Sequence, residues 1–384
     1  MRSPFVRGAV AAMLGVAAGC HHDRATGPGG FDTSFLGACG QSSAFFTALP
    51  FTRSDIMGWV PLGNLNPPGH TFPTDHQYIY LTSFLSGGEP APLYAPGNVT
   101  ILSAKVTRYS TGTPAEDYSL TFSPCAEVSA EFGHVRTVAA ALLAQIGAMD
   151  QACRAYSPNP GLSVTQCYSK PVRVAVHAGD VIGTSAGLDL SMFDARVPAI
   201  AYANPSRWTA NNSGFDHFHV VPFSDYYAEP LRATVQGMLG SFDGTVRRTV
   251  APLGGSIASD VPGSLQGAWF SPSHPTYPET PHLAIAPSNV DPSRTHISMG
   301  TSQPGFPAGA YAVSAATGTN VNVSPSQLTP DSGIACYEFE NGGIALVRLT
   351  DATTLTFEGR SGFGRTCAGE RPWAFTAAAV VFAR

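Results

Sequence analysis

The sequence predicts a mainly β protein, on three observations. Gly and Pro contribute 40 and 32 of the 384 residues without a G-X-Y period, so turns interrupt the chain often and a collagen helix is excluded. Hydrophobic residues make up 43% and aromatic residues 10%, which is enough for a packed core and excludes a fully disordered chain. Short runs of β-branched and aromatic residues recur between the turns, whereas long helical runs are few.

In the first half of the chain, four such runs predict strands and two segments predict helices. The predicted strands are His76–Phe84, Val99–Tyr109, Tyr118–Phe122 and Val128–Val135. The segment 138–149 is rich in Ala and Leu, which favours a helix of about three turns. The segment 227–239 predicts a second helix, because Pro230 lies near its first turn, a position that suits proline.

The second half predicts another series of strands, with the spacing of a β-sandwich or a small barrel. These strands are Leu265–Phe270, His282–Ile285, Thr295–Gly300, Ile344–Leu349, Thr354–Glu358 and Ala374–Phe382. Large rings dominate small β cores, so the expected core residues are Trp269, Phe270, Trp373 and Phe375. The sequence shows no internal repeat between the two halves.

The chain therefore divides into five predicted parts, separated by shifts in composition. They are a signal segment at 1–20, a tether and lead-in at 21–50, a β domain at 51–242, a linker at 243–264 and a C-terminal β domain at 265–384. The linker assignment rests on the Gly, Ser and Pro content of 243–264.

The charge balance argues against nucleic acid as a partner. Lys and Arg number 21 against 26 Asp and Glu, for a net charge of −5, and charged residues are only 12% of the chain. Binding to phosphates needs clustered positive charge, which this sequence does not contain.

The first twenty residues predict export. Arg2 and Arg7 precede an apolar run that ends in Val-Ala-Ala-Gly before Cys20. This end resembles a bacterial lipobox, in which the cysteine becomes the lipidated first residue. His21 stands where the Gram-negative sorting rule places Asp for inner-membrane retention, so the resemblance implies a lipid anchor in the outer membrane as the only membrane contact. The alternative is ordinary secretion with cleavage nearby.

Cysteine parity agrees with export. Without Cys20, six cysteines remain, and an even number in an oxidising compartment favours disulfides. Six cysteines allow 15 pairings. Separation between domains and short loop closure favour Cys336 with Cys367 and Cys153 with Cys167, and Cys39 and Cys125 then remain as the third pair.

Histidines are the main chemical signal. His70 lies shortly before Asp75 in a Pro/Gly-rich loop, and His217 and His219 form a His-x-His pair. Alternation along a strand would point both imidazoles of that pair to one face, as a shared metal requires. Histidine and aspartate are zinc ligands, so a zinc site is one interpretation, and structural or surface histidines are the other.

The order of motifs in residues 68–194 resembles lysostaphin-type peptidoglycan endopeptidases, whose fold is the duplicated hybrid motif. In that family a His-x3-Asp motif supplies two zinc ligands, and His70 with Asp75 lies near it. The segment Pro92–Val99 matches the following strand. Glu131–His134 matches the element with the catalytic histidine, and Gly179–Gly187 matches a "G..IG..G" turn closely. The resemblance implies the duplicated-hybrid-motif fold for this domain.

Two metal-bearing elements depart from the family pattern. Four residues separate His70 from Asp75 instead of three, and Asp189 and Ser191 occupy the places of the family's His-x-His. The motifs that maintain the fold are thus present, whereas the motifs that supply metal ligands are altered. This is the pattern expected of a pseudoenzyme or a binding module.

Three functions remain open from the sequence. A degenerate domain would bind peptidoglycan or an envelope protein without cleaving it and would need no cofactor. An active enzyme would hold one zinc ion through His70, Asp75 and His219, with His134 and His217 as catalytic groups. A surface lipoprotein with a purely structural role would use neither a ligand-binding groove nor a catalytic zinc site.

Overall fold

The computed structural model describes residues 31–111, 115–159, 162–209, 216–273 and 279–384. The predicted signal segment with Cys20, and the tether up to residue 30, lie outside the described residues. The fold is mainly β, as predicted, and all of its named strands pair in antiparallel fashion.

The described residues of the first half contain twelve named strands. They are β1 Ile56–Val60, β2 His76–Leu81, β3 Ala91–Tyr94, β4 Val99–Tyr109, β5 Glu116–Cys125, β6 Val128–Val135, β7 Thr137–Val138, β8 Met149–Asn159, β9 Leu162–Ser169, β10 Val174–Val176, β11 Val181–Ser185 and β12 Gly187–Asp194. A large sheet has the order β1-β2-β12-β6-β5-β4-β9-β8, with β10 paired to β4, and a small sheet has the order β3-β11-β7. The sequential strands β4, β5 and β6 are neighbours, whereas β12 inserts between β2 and β6.

The described helices are short. The α-helices are α1 Ala140–Ile146, α2 Pro205–Thr209 and α3 Leu231–Gln236, and 3₁₀ turns cover Arg53–Asp55, Thr82–Ser86, Phe223–Tyr226, Pro325–Gln327 and Pro330–Ser332. The predicted helix at 138–149 is too long, because Gly147 has a φ of +77° and ends α1 before β8 begins. The predicted helix at 227–239 shortens to α3, which Pro230 precedes as its N-cap. No helix of the described residues is long and apolar enough to cross a membrane.

The C-terminal half forms two four-stranded sheets around a shared core, the arrangement of a sandwich. Its strands are β13 Gly267–Trp269, β14 Leu283–Pro287, β15 Thr295–Met299, β16 Gly309–Ala312, β17 Ala335–Glu338, β18 Ile344–Asp351, β19 Thr354–Arg360 and β20 Val380–Ala383. Trp269 is fully buried in this core, as predicted. Trp373 and Phe375 are only partly buried and pack on a smaller cluster around the disulfide, while Phe306, Tyr337 and Phe357 fill the main core instead.

The two halves are in direct contact. Phe270, predicted as a core residue, packs instead against Phe72 of the first half, with ring centroids 5.0 Å apart. Residues 243–264, predicted as a linker, bond to neighbours on both sides. The Leu62 N–H donates to the carbonyl of Gly254 at 2.9 Å, and Arg248 donates to the carbonyl of Asn289 at 2.7 Å. The segment is therefore packed between the halves.

The three predicted disulfides are confirmed. They join Cys39 to Cys125, Cys153 to Cys167, and Cys336 to Cys367, across 86, 14 and 31 residues. Three disulfides are compatible with an exported protein outside the cytoplasm.

The large sheet separates an apolar core from a polar cleft. Leu190, Phe132 and Leu120, on the adjacent strands β12, β6 and β5, are fully buried in the core. Because side chains alternate along a strand, their neighbours in sequence project from the opposite face. That face carries the candidate site.

Candidate functional site

A cleft of about 290 Å³ lies on the polar face of the large sheet. Seven strands contribute to it, namely β2, β12, β6, β5, β4, β9 and β8. Its lining is dominated by charged, hydroxyl and amide groups, and Glu279 from the C-terminal half closes part of its wall. Alternation of side chains along the strands of the first half therefore builds most of the site, and Glu279 of the C-terminal half completes it.

His134 lies at the edge of this cleft in an unusual backbone conformation. Its φ of +60° is left-handed, which costs a residue with a Cβ about 1–3 kcal/mol. Two contacts hold it in place. The Ser185 hydroxyl donates to the His134 carbonyl at 2.8 Å, and His134 Nδ1 lies 2.8 Å from the Asp117 carboxylate. Its hydrogen bond to Asp117 raises the pKa of His134 to about 9, so the imidazole is protonated at neutral pH.

Asp189 lies between two imidazoles. Its Oδ2 is 3.3 Å from His134 Nε2 and 3.5 Å from His76 Nε2. Gly133 is the β6 partner of Asp189, and a Cβ at that glycine would come within 3.2 Å of the Asp189 Cβ. The glycine therefore leaves room for the carboxylate between the two rings.

Asp75 extends this alternation of acids and imidazoles. One of its oxygens lies 2.9 Å from His76 Nδ1, and the other lies 3.4 Å from His217 Nδ1. Burial alone would raise the pKa of Asp75, but the hydrogen bond to His76 and the charges of His76 and His217 lower it to about 2. Burial opposes protonation of His76, but the carboxylates of Asp189 and Asp75 outweigh it and raise its pKa. Both nitrogens of His76 thus face carboxylates.

Two further groups are held neutral at this end of the cleft. His70 lies with its ring 5.0 Å from the ring of His76, and burial together with that neighbour lowers its pKa to about 4. Glu279 accepts the Phe72 N–H at 2.9 Å, and burial raises its pKa to about 8. At neutral pH His70 is therefore an unprotonated imidazole and Glu279 a protonated acid.

The pKa of Glu279 predicts a pH dependence of stability. Below pH 4.5 both the folded and the unfolded state hold this proton, whereas between about 4.5 and about 8 only the folded state does. Folding stability should therefore fall as the pH rises through this window, by up to about 1.4 kcal/mol per pH unit from this group.

Glu279→Gln keeps the acceptor oxygen but cannot ionise. The free energy of unfolding is measured by urea titration at pH values from 5 to 8, and we expect its dependence on pH to lose this component in the variant. An unchanged dependence on pH would show that Glu279 is ionised in the folded protein.

The predicted zinc ligands do not assemble into one set. His219 Nδ1 lies 2.7 Å from Asp216, and His219 does not line the cleft, although His217, His70 and Asp75 do. Among the described residues, the group of three potential ligands with atoms within 4.8 Å of one another is Cys39, Cys125 and Glu127, whose cysteines form a disulfide. The residues as arranged do not fit a three-ligand zinc site.

Only His217 of the His-x-His pair lines the cleft, because the backbone of the pair does not form a strand. The His219 N–H bonds the Asp216 carbonyl across a turn, so the alternation expected of an extended segment does not apply. Asp189 and Ser191, which occupy the family's His-x-His places, both line the cleft. Ser191 on β12 is the direct partner of His76 on β2.

Sequence reasoning gave no role to several lining residues. Asp117, Lys105 and Glu279 belong to no motif and come from distant parts of the chain. A signal for Lys105 was present, because it begins the alternating polar series Lys105, Thr107, Tyr109 on β4. For Glu279 the sequence holds no signal, because its place depends on how the two halves pack.

The cleft thus gathers acids, imidazoles and hydroxyls from seven strands and from the loops that carry His70, Asp75, His217 and Glu279. In comparisons with known proteins, no family model, no curated protein and no solved structure matches this chain.

Proposed function

We propose that this chain is an exported envelope lipoprotein whose first half is a degenerate peptidoglycan-endopeptidase-like domain, which binds peptidoglycan without cleaving it. The observation that carries the proposal is the identity of the two residues at the positions of the family's His-x-His motif. A carboxylate, Asp189, and a hydroxyl, Ser191, stand there, and two imidazoles engage the carboxylate.

This arrangement opposes zinc chemistry in two ways. His219, one of the three predicted ligands, does not line the cleft, and its Nδ1 lies 2.7 Å from the Asp216 carboxylate. A serine hydroxyl is also a poor zinc ligand in comparison with an imidazole. The open, polar cleft nevertheless remains, and it can accept a ligand through hydrogen bonds.

The alternative, an active zinc peptidase, makes a different prediction. It requires about one zinc per chain in the purified protein, lost in a His70→Ala/His219→Ala double variant. We expect no stoichiometric zinc in the wild-type protein.

Binding is tested by co-sedimentation of the chain from residue 21 onward with purified peptidoglycan sacculi. Ser119 lines the cleft from β5, so Ser119→Tyr should obstruct it and lower the affinity at least about tenfold, or about 1.4 kcal/mol. Ser54→Tyr is the matched control, because Ser54 is exposed and does not line the cleft. Failure of the wild-type chain to sediment with sacculi, or equal loss in both variants, would contradict the proposal.

A further inference from the structure

A groove of about 600 Å³ opens beside the cleft and shares Asp117, His134 and Asp189 with it. Arg136, which lies between β6 and β7, also lines this groove and does not line the cleft. Its N–H donates to the carbonyl of Thr184 on β11 at 2.7 Å, which ties its backbone to the small sheet. The groove therefore contains an arginine in a fixed place that the cleft lacks.

Arg136 is a cation without a carboxylate partner, whereas both carboxylates of the groove already contact an imidazole. Asp117 lies 2.8 Å from His134 Nδ1, and Asp189 lies 3.3 Å from His134 Nε2. Within the described residues, no carboxylate oxygen lies within 4.0 Å of the Arg136 guanidinium. The internal segments outside the description contain no Asp or Glu, and they are 112–114, 160–161, 210–215 and 274–278. The guanidinium is thus available to an anionic group of a ligand.

The apolar side of the groove continues onto the protein surface. Tyr80 and Phe84 line the groove, and Phe84 is 48% exposed. Phe242 lies outside the lining, with its ring centroid 5.5 Å from that of Tyr80 and 6.5 Å from that of Phe84, and it is also half-exposed. Leu85, next to Phe84 in the chain, is exposed as well. Contiguous apolar side chains that are left open to solvent in this way mark a site for a ligand or a partner.

These two features together fit an anion with an apolar body. The planar guanidinium of arginine matches a carboxylate with two parallel hydrogen bonds. One arginine compensates one negative charge, whereas Asp117 and Asp189 in the same groove oppose an anion with several charges. An apolar body that covers the exposed rings removes apolar surface from water, which favours binding.

We infer that this groove binds monocarboxylates with an apolar body, such as a medium-chain aliphatic acid. The carboxylate pairs with Arg136, and the apolar body covers Tyr80, Phe84 and Phe242. This site goes beyond the proposed function, and binding of peptidoglycan by the cleft does not depend on it.

Calorimetry on the chain from residue 21 onward tests the inference with four probes. Octanoate has both features, octanol and octylammonium have the same chain with a neutral and a cationic head, and acetate has the carboxylate alone. We expect octanoate to bind at least about tenfold more tightly than each of the other three, because only octanoate engages both the arginine and the rings. Raising the salt from about 0.05 to 0.5 M should weaken octanoate binding relative to octanol binding, because only the ion pair is screened.

Arg136→Gln should lower the octanoate affinity about tenfold, to that of octanol, and leave the octanol affinity unchanged. Arg154→Gln is the matched control, because Arg154 is exposed and lines neither cavity. Phe84→Ala should weaken octanoate and octanol by a similar factor, since it removes part of the apolar surface that both chains cover. Phe363→Ala should change neither affinity, because Phe363 is a fully exposed ring of the C-terminal half outside both cavities.

Equal affinities of octanoate and octanol for the wild-type chain would overturn the inference, because Arg136 would then contribute nothing. The absence of octanoate binding, or an equal loss in Arg136→Gln and Arg154→Gln, would overturn it too. Each of these results would leave the proposed function standing, because co-sedimentation with sacculi tests that function separately.

Discussion

Ser191→His is expected to raise the affinity of this protein for zinc by at least about a hundredfold. Ser191 is the direct antiparallel partner of His76, and both residues line the cleft. Directly opposite residues have Cβ atoms about 4.5–5.5 Å apart, a separation that two imidazoles on one zinc ion can span. The ring of His70 lies beside that of His76, so the variant would gather three imidazoles.

Competition with a fluorescent zinc chelator measures this affinity. Ser191→Gln is the matched control, because it adds similar bulk without an imidazole. Adding His76→Ala to the Ser191→His variant should remove the gain. If a folded Ser191→His protein bound zinc no better than the Ser191→Gln protein, position 191 would not be a lost ligand position.

Each of the three disulfides is expected to stabilise the fold, and the stabilisation should increase with the length of the loop that the disulfide closes. Loss of closure entropy predicts that Cys39→Ala/Cys125→Ala lowers the free energy of unfolding by about 4.5 kcal/mol. The same relation gives about 3.7 kcal/mol for the Cys336–Cys367 pair and about 3 kcal/mol for the Cys153–Cys167 pair. Urea unfolding of the three double variants under oxidising conditions measures the order.

The Cys153–Cys167 variant is the internal control, because its 14-residue separation closes the shortest of the three loops. A larger loss in this variant than in the Cys39–Cys125 variant would show that strain or local packing, and not chain entropy, sets the contribution of these bonds.

Local chemistry made much of the fold predictable. Strand runs such as 99–109 and 128–135 were found to the residue or nearly so, because alternating apolar positions and flanking turns mark them directly. The disulfide pairing was predictable because short loops and domain separation favour few partners. Helix lengths were overestimated, because apolar composition continues past Gly147, where the backbone turns into a strand.

The candidate site was less predictable, because its residues meet only through sheet order. His134 and Asp189 were identified through motifs, but Asp117 reaches His134 because β5 lies beside β6. The insertion of β12 between β2 and β6 is what brings His76 to Asp189. Glu279 depends on packing between the halves, which no local pattern encodes.

The fate of intact sacculi incubated with the wild-type chain tests the central claim most directly. The supernatant is analysed by mass spectrometry for soluble muropeptides, with and without added zinc, while the pellet is assayed for bound protein. We predict protein in the pellet and no soluble fragments under either condition. Release of cross-bridge fragments that a chelator abolishes would contradict the account, because the cleft would then hold a working metal centre.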